Sequence, residues 1–173
     1  MGRLICALVL VLLITTPSLG KQSLVGTYKV VSLVIEVDGT PREIMGKAPH
    51  GYLVFTPTRF ICFITAENRK FSSSVDEKAA LFDTLAGFAG VYRLGGDKLI
   101  QTMDVSWTET LNGKTQGVTY QLSGNRLTTT LGPMPFARDP SKTMIRREVW
   151  EKVEKAAHTH LLEHVVLVPR SWP

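Results

Sequence analysis

Short runs of Val, Ile, Thr, Tyr and Phe recur from about residue 26 to residue 153, separated by clusters of Gly, Pro, Asn and Asp. Within most runs apolar and polar positions alternate, the period of a strand that buries one face. Residues 27–35 read as a long first strand ending at the turn signal Asp38-Gly39, followed by a loop over 40–50 that carries Pro41 and Pro49. A hairpin of 52–55 and 60–65 surrounds Thr56-Pro57-Thr58-Arg59, where proline has the φ that the second position of a type I turn requires. Further strands are expected over 91–94, 98–107, 115–122, 126–131 and 143–153. Gly95-Gly96-Asp97, Asn112-Gly113 and Ser123-Gly124-Asn125 supply turns, the Asn-Gly pair suiting a type I′ hairpin. A longer loop over 132–142 holds Pro133, Pro135 and Pro140.

One segment departs from period two. Ser74 with Glu77 three residues on forms a capping box, and Ala79, Phe82, Ala86 and Ala89 fall on one helical stripe beside Leu81, Leu85 and Phe88. The pattern predicts a helix that stops at Gly87 or Gly90 and packs on the end of the strands. About eight short strands and one helix favour an antiparallel barrel or sandwich of a single domain.

Strand parity gives an expected interior. With Lys29, Arg59, Lys98 and Arg126 facing water, the inward set is Tyr28, Val30 and Ser32; Phe60, Cys62 and Ile64; Leu99, Gln101, Met103, Val105 and Trp107; and Leu127 and Thr129. Val118, Tyr120 and Leu122 join it, as do Ile145, Arg147 and Val149 on the last strand, which leaves Trp150 outward. Apolar walls with sparse polar groups suit a small-molecule pocket, although the same residues also make a self-filled core. The candidate ligand-binding residues are Tyr28, Phe60, Gln101, Met103, Trp107, Tyr120 and Arg147. Met103, Trp107 and Tyr120 are expected to line one cavity, with Arg147 as anchor for a carboxylate or carbonyl.

Composition narrows the setting. Arg3, the uncharged apolar run 4–14 and the small residues Ser18 and Gly20 have the layout of a secretory signal peptide cut after Gly20, too short in its apolar part to span a bilayer. Its removal takes 20 of 173 residues and leaves 153, one barrel domain over 21–153 and a tail over 154–173, secreted or periplasmic and without a membrane anchor. Loss of Arg3 lowers the formal charge from +5 to +4, and the remaining Lys and Arg are scattered, which argues against nucleic acid as a partner. Cys62 is then the only cysteine, an expected buried hydrophobe with no base beside it. No nucleophile elbow, zinc-binding helix, P-loop or Cys-x-x-Cys pair occurs, so no catalytic residue, metal or cofactor is assigned. His158, His160 and His164 lie in the tail and read as solvated.

The segments Gly26-Thr27-Tyr28-Lys29-Val30-Val31-Ser32, Gly51-Tyr52-Leu53-Val54-Phe55-Thr56-Pro57, Phe88-Ala89-Gly90-Val91-Tyr92 and Asp104-Val105-Ser106-Trp107 resemble the lipocalin-like domain family of bacteria and fungi. Arg126-Leu127-Thr128 and the run from Arg146 to Glu151 fit it as well. The resemblance covers roughly 24–153 and implies an antiparallel up-and-down, calycin-type barrel of about eight strands with one helix after the third strand. Gly26-x-Tyr28 is similar to the lipocalin Gly-x-Trp signature. By that likeness Arg146 or Arg147 covers the aromatic ring from the last strand. The family pattern puts histidines on the strand before the Ser-Trp pair, where this chain has Gln101 and Thr102. A reactive site built on those histidines is therefore missing here. Two function classes follow: a secreted barrel that binds a small, mostly apolar molecule, and an isomerase or cyclase using the barrel as a reaction chamber. A ligand-free interaction scaffold is the third.

Overall fold

The computed structural model describes residues 23–71, 74–137 and 139–153. Its elements are β1 (Gly26–Val37), β2 (Thr40–Arg42), β3 (His50–Phe55), β4 (Arg59–Thr65), α1 (Val75–Phe82), β5 (Leu85–Gly95), β6 (Lys98–Ser106), a 3-10 turn (Glu109–Leu111), β7 (Thr115–Ser123), β8 (Arg126–Phe136) and β9 (Asp139–Lys152). The strands run in the order β2-β1-β3-β4-β5-β6-β7-β8-β9, and β1 also pairs with β9. All pairings are antiparallel, so eight strands close into an up-and-down barrel and β2 is a three-residue extension beside the end of β1. Closure satisfies the backbone of each long strand on both sides and removes the exposed edges that invite aggregation.

Strand direction defines two ends. The starts of β1, β6 and β8 and the ends of β3, β7 and β9 share the end that Tyr28, Phe55, Phe60 and Trp150 fill. Tyr28 meets Phe55 edge to face, with ring centroids 6.1 Å apart, and its hydroxyl donates to the Leu24 carbonyl at 3.0 Å. The opposite end, the mouth, carries the loop over 43–49, α1 and the 3-10 turn.

The structure corrects the expected elements in four places. The helical stripe ends at Phe82, and Leu85, Ala86, Phe88 and Ala89 belong to β5, because β4 needs a partner and finds it from Arg59↔Val91 to Thr65↔Leu85. Ladder hydrogen bonds along a whole strand outweigh helix propensity over a few residues. Ser74 still caps α1, its hydroxyl accepting from the Glu77 amide at 3.2 Å. With β2 formed inside the expected loop over 40–50, the helix follows the fourth strand, not the third. The loop over 132–142 is largely the irregular end of the β8–β9 ladder, whose register shifts between Leu131 and Met134 and again between Pro135 and Phe136.

Three strands also carry parity changes. A bulge between Val30 and Ser32 turns Leu33 into the core and leaves Ser32 only half-buried. A second, opposite Ala89 and Gly90, skips Asp104 and turns Val105 outward. On β9 the expected parity is inverted throughout: Glu148 and Trp150 are buried and Arg147 is exposed. Trp150, fully buried, decides this. An indole removes about 150–250 Å² from water, more than Val149 or Ile145 offers, and the two charged neighbours that must follow it inward form a pair.

Candidate functional site

Among the described residues the barrel interior is apolar except for one cluster at mid-height. Glu148, Thr129 and Gln101 are its buried polar residues, and Arg146 stands next to them on β9. Glu148 accepts from the Thr129 hydroxyl at 3.0 Å and from the Trp150 indole N–H at 3.2 Å, both on Oε2. Its Oε1 faces Arg146 Nε at 3.0 Å. Gln101 accepts from Gln116 Nε2 at 3.3 Å, its register partner across β6 and β7. The fold makes this grouping: β8 and β9 bring Thr129 opposite Glu148, and residues two apart on β9 share the inner face.

Both carboxylate oxygens of Glu148 are thus engaged, one by an ion pair and one by two donors. This holds Arg146 in place from below. Its side chain is about a quarter exposed, and no described residue hydrogen-bonds its terminal nitrogens. An arginine so held presents a planar donor pair for a carboxylate or carbonyl. Cys62 faces the same space; burial first and the Glu148 carboxylate second push its thiol well above the ordinary 9.0, with Arg146 pulling the other way. The thiol is therefore protonated and a poor nucleophile.

The space enclosed by Leu53, Cys62, Phe88, Leu99, Gln101 and Glu148, among others, is about 10 Å³. That is room for about one water molecule. A plug closes the mouth above it: Met45, in the loop over 43–49, is part of the core. Glu67 fastens that loop, its two carboxylate oxygens each accepting a backbone amide, from Lys47 and Ala48, at 3.0 Å. The Glu67 amide donates in turn to the Met45 carbonyl at 3.0 Å. Larger spaces lie on the open surface. One of about 380 Å³ lies between α1 and the chain leaving β4, and another borders Val25 and Val153, where the chain continues outside the described residues.

Of the expected ligand-binding residues, Tyr28, Phe60, Gln101 and Met103 are buried in the interior, and Tyr120 is half-buried against the core. Tyr28 and Phe60 belong to the packed closed end. Trp107 is not in the core; it packs against Phe82 of α1 with centroids 5.1 Å apart, so it does not share a cavity with Met103. Arg147 lies on the outer face, and the arginine on the inner face is Arg146. Sequence parity missed Arg146 and Glu148, although the spacing Thr129 to Leu127 and Glu148 to Trp150 held the signal. Neither arginine covers Tyr28: Lys152 Nζ lies 5.7 Å from its ring centroid and donates to the Val25 carbonyl at 2.9 Å. Gly26 makes this possible, since a side chain there would overlap the Lys152 stem.

Among the described residues no group of three or more His, Cys, Asp or Glu is placed to hold a metal ion. No described helix is long and apolar enough to cross a membrane. The leader over 1–20 and the tail histidines lie outside the described residues. No curated protein matches the chain. The family model for the lipocalin-like domain matches residues 25–153, the whole barrel, and the chain belongs to the lipocalin-like domain family.

Proposed function

We propose that this barrel is a secreted binding protein for a small molecule with an apolar body and a carboxylate or carbonyl head, which Arg146 receives. The observation that carries the reading is the Glu148–Arg146 pair inside an otherwise apolar barrel. Buried charges oppose stability unless well paired, so an inward arginine with unused donors is an expensive feature for a purely structural core. The oxygens of Glu148 favour binding over acid–base catalysis, because Thr129, Trp150 and Arg146 already occupy both of them and leave neither facing a substrate. Entry requires movement. A space of about 10 Å³ holds no ligand, and lifting the loop with Met45 is the shortest way to enlarge it from the mouth. The filled interior itself favours a second reading, a barrel that serves as an interaction scaffold.

Native mass spectrometry of protein exported by a bacterial host, followed by titration with fatty acids, sterols, polyketides and retinoids, separates the two. Arg146→Ala is expected to weaken binding about 10–100-fold, the worth of a charge-assisted hydrogen bond, and Arg147→Ala to leave it unchanged. Glu67→Ala, which unfastens the loop, is expected to speed ligand entry. Absence of any bound molecule in both the wild type and Glu67→Ala would leave the scaffold reading. N-terminal sequencing of the exported protein is expected to start at Lys21, and retention of Met1 would refute the secretory part.

A further inference from the structure

The outer wall of the barrel is not uniform. On β7 and β8 it presents Thr115, Gly117, Thr119, Gln121, Thr128 and Thr130, the polar exterior expected of a solvated barrel. On β3, β4 and β6 it presents Tyr52, Ile61, Phe63 and Val105, which are between 52% and 59% exposed. The register places them side by side: Tyr52 pairs with Phe63, Ile61 with Ala89, and Ala89 with Val105. Val91 continues the patch, and the ring of Phe63 reaches over Gly87, where an added Cβ would stand 3.2 Å from Phe63 Cδ2. Strand β4 is thus apolar on both faces, with Phe60, Cys62 and Ile64 buried inside and Ile61 and Phe63 outside. A strand of that composition is one covered on both sides.

We propose that a second copy of this chain covers the wall, two barrels packing face to face about a two-fold axis through β4. Area is the first argument. With about 200 Å² for an aromatic side chain and somewhat less for an aliphatic one, the exposed fractions of these residues leave roughly 400–500 Å² of apolar surface in one piece. A standard interface takes about 800 Å² from each partner, a little over half of it apolar, so the patch matches one half of such an interface and needs only a polar rim. Exposed Lys29, the register partner of Tyr52, Arg93, two residues beyond Val91, and the pair Arg59–Asp104 at 2.7 Å supply that rim. The second argument is topology, with the rim already charged and polar. The closed barrel leaves its long strands no free edge, so association uses a face.

The test is the solution mass of the exported protein by sedimentation equilibrium between about 1 and 100 µM, the range in which a standard interface declares itself. A dimer is expected. Phe63→Glu is expected to weaken its association by about 100-fold or more, because two copies each lose a buried ring. The milder pair Ile61→Thr and Val105→Thr keeps β-branched residues in both strands and is expected to weaken it as well, with near-UV circular dichroism from Trp150 unchanged to show the fold intact. A monomer throughout that range would overturn the proposal. So would a dimer unaffected by both sets of substitutions. A full-length monomer that becomes dimeric when the chain is ended at Val153 would also overturn it, assigning the wall to the tail instead.

Discussion

Glu148→Ala tests the inner face of β9 directly. The substitution deletes the acceptor of two buried donors, the Trp150 indole N–H and the Thr129 hydroxyl, and the partner of Arg146. A buried donor left without a partner costs about 1–3 kcal/mol. The hydroxyl of Thr129 can turn and the Arg146 side chain can reach water, so the indole dominates, and the small void adds to it. Together these put the loss at about 3–5 kcal/mol, the usual range when one partner of a buried ion pair is removed. At roughly 2–4 °C per kcal/mol for a chain of this size, the melting temperature falls by about 6–20 °C. Urea unfolding followed by Trp150 fluorescence gives the free energy, and the midpoint should shift with little change in slope. Arg147→Ala, on the outer face of the same strand, should stay within about 0.5 kcal/mol of wild type. Replacing both members, Arg146→Met with Glu148→Leu, should recover only the part due to the void and the unpaired guanidinium, since the Trp150 indole still lacks its acceptor. A loss below about 1 kcal/mol for Glu148→Ala, or an equal loss for Arg147→Ala, would refute the assignment of the inner face.

Three further outcomes are expected. Gly90→Ala should destabilise by more than about 3 kcal/mol in the same urea assay, because its Cβ would collide with the backbone carbonyl of Thr102 where β5 crosses the bulge of β6; a neutral effect would mean that the two strands part there. Native Cys62 should react with a thiol reagent orders of magnitude more slowly than in denaturant, given its burial, and equal rates would mean an open barrel. Stability should also fall at alkaline pH. Burial raises Cys62 above its ordinary 9.0 and, with help from Tyr92, Tyr28 above 10.0. A raised folded-state pKa contributes stability that is complete below the unfolded value and is lost as pH rises through the folded one. The urea midpoint should therefore hold up to about pH 9 and drop beyond it, less steeply in Cys62→Ala; a midpoint unchanged at pH 11 would contradict this.

The barrel was legible in the sequence wherever alternation was clean and turns were marked. Arg126 to Thr130 has a charged or polar residue at every second position, Lys98 and Thr102 mark the outer face of β6, and the buried members of both strands are those expected. Bulges defeat that reading, because one unpaired residue flips all that follow, and Val31, the residue skipped on β1, is of the type most common in regular strands. The helix over-ran for another reason. Leu85, Ala86, Phe88 and Ala89 satisfy the 3.6-residue period by chance of composition, and only the need of β4 for a neighbour assigns them to β5.

The inverted parity of β9 and the apolar exterior of β4 are two sides of one ambiguity. Alternation identifies the inner face only when the two faces differ in polarity. From Met144 to Trp150 each face carries an arginine and apolar residues, so the local pattern is nearly symmetric, and the choice passes to the largest side chain that the closed end can accept. Trp150, the register partner of Leu127, is fully buried in the core that also holds Tyr28 and Phe55, and takes Glu148 and Arg146 inward with it. Along β4 both faces are apolar, so the pattern gives no contrast at all. There the barrel fixes which face is inner, and the remaining apolar face becomes information about something outside the barrel. In one strand a functional candidate is hidden because polar residues stand on the inner face. In the other a candidate contact shows because apolar residues stand on the outer one. Each is a departure from the polarity that a solvated barrel needs for folding alone, and such departures are where function is most economically sought.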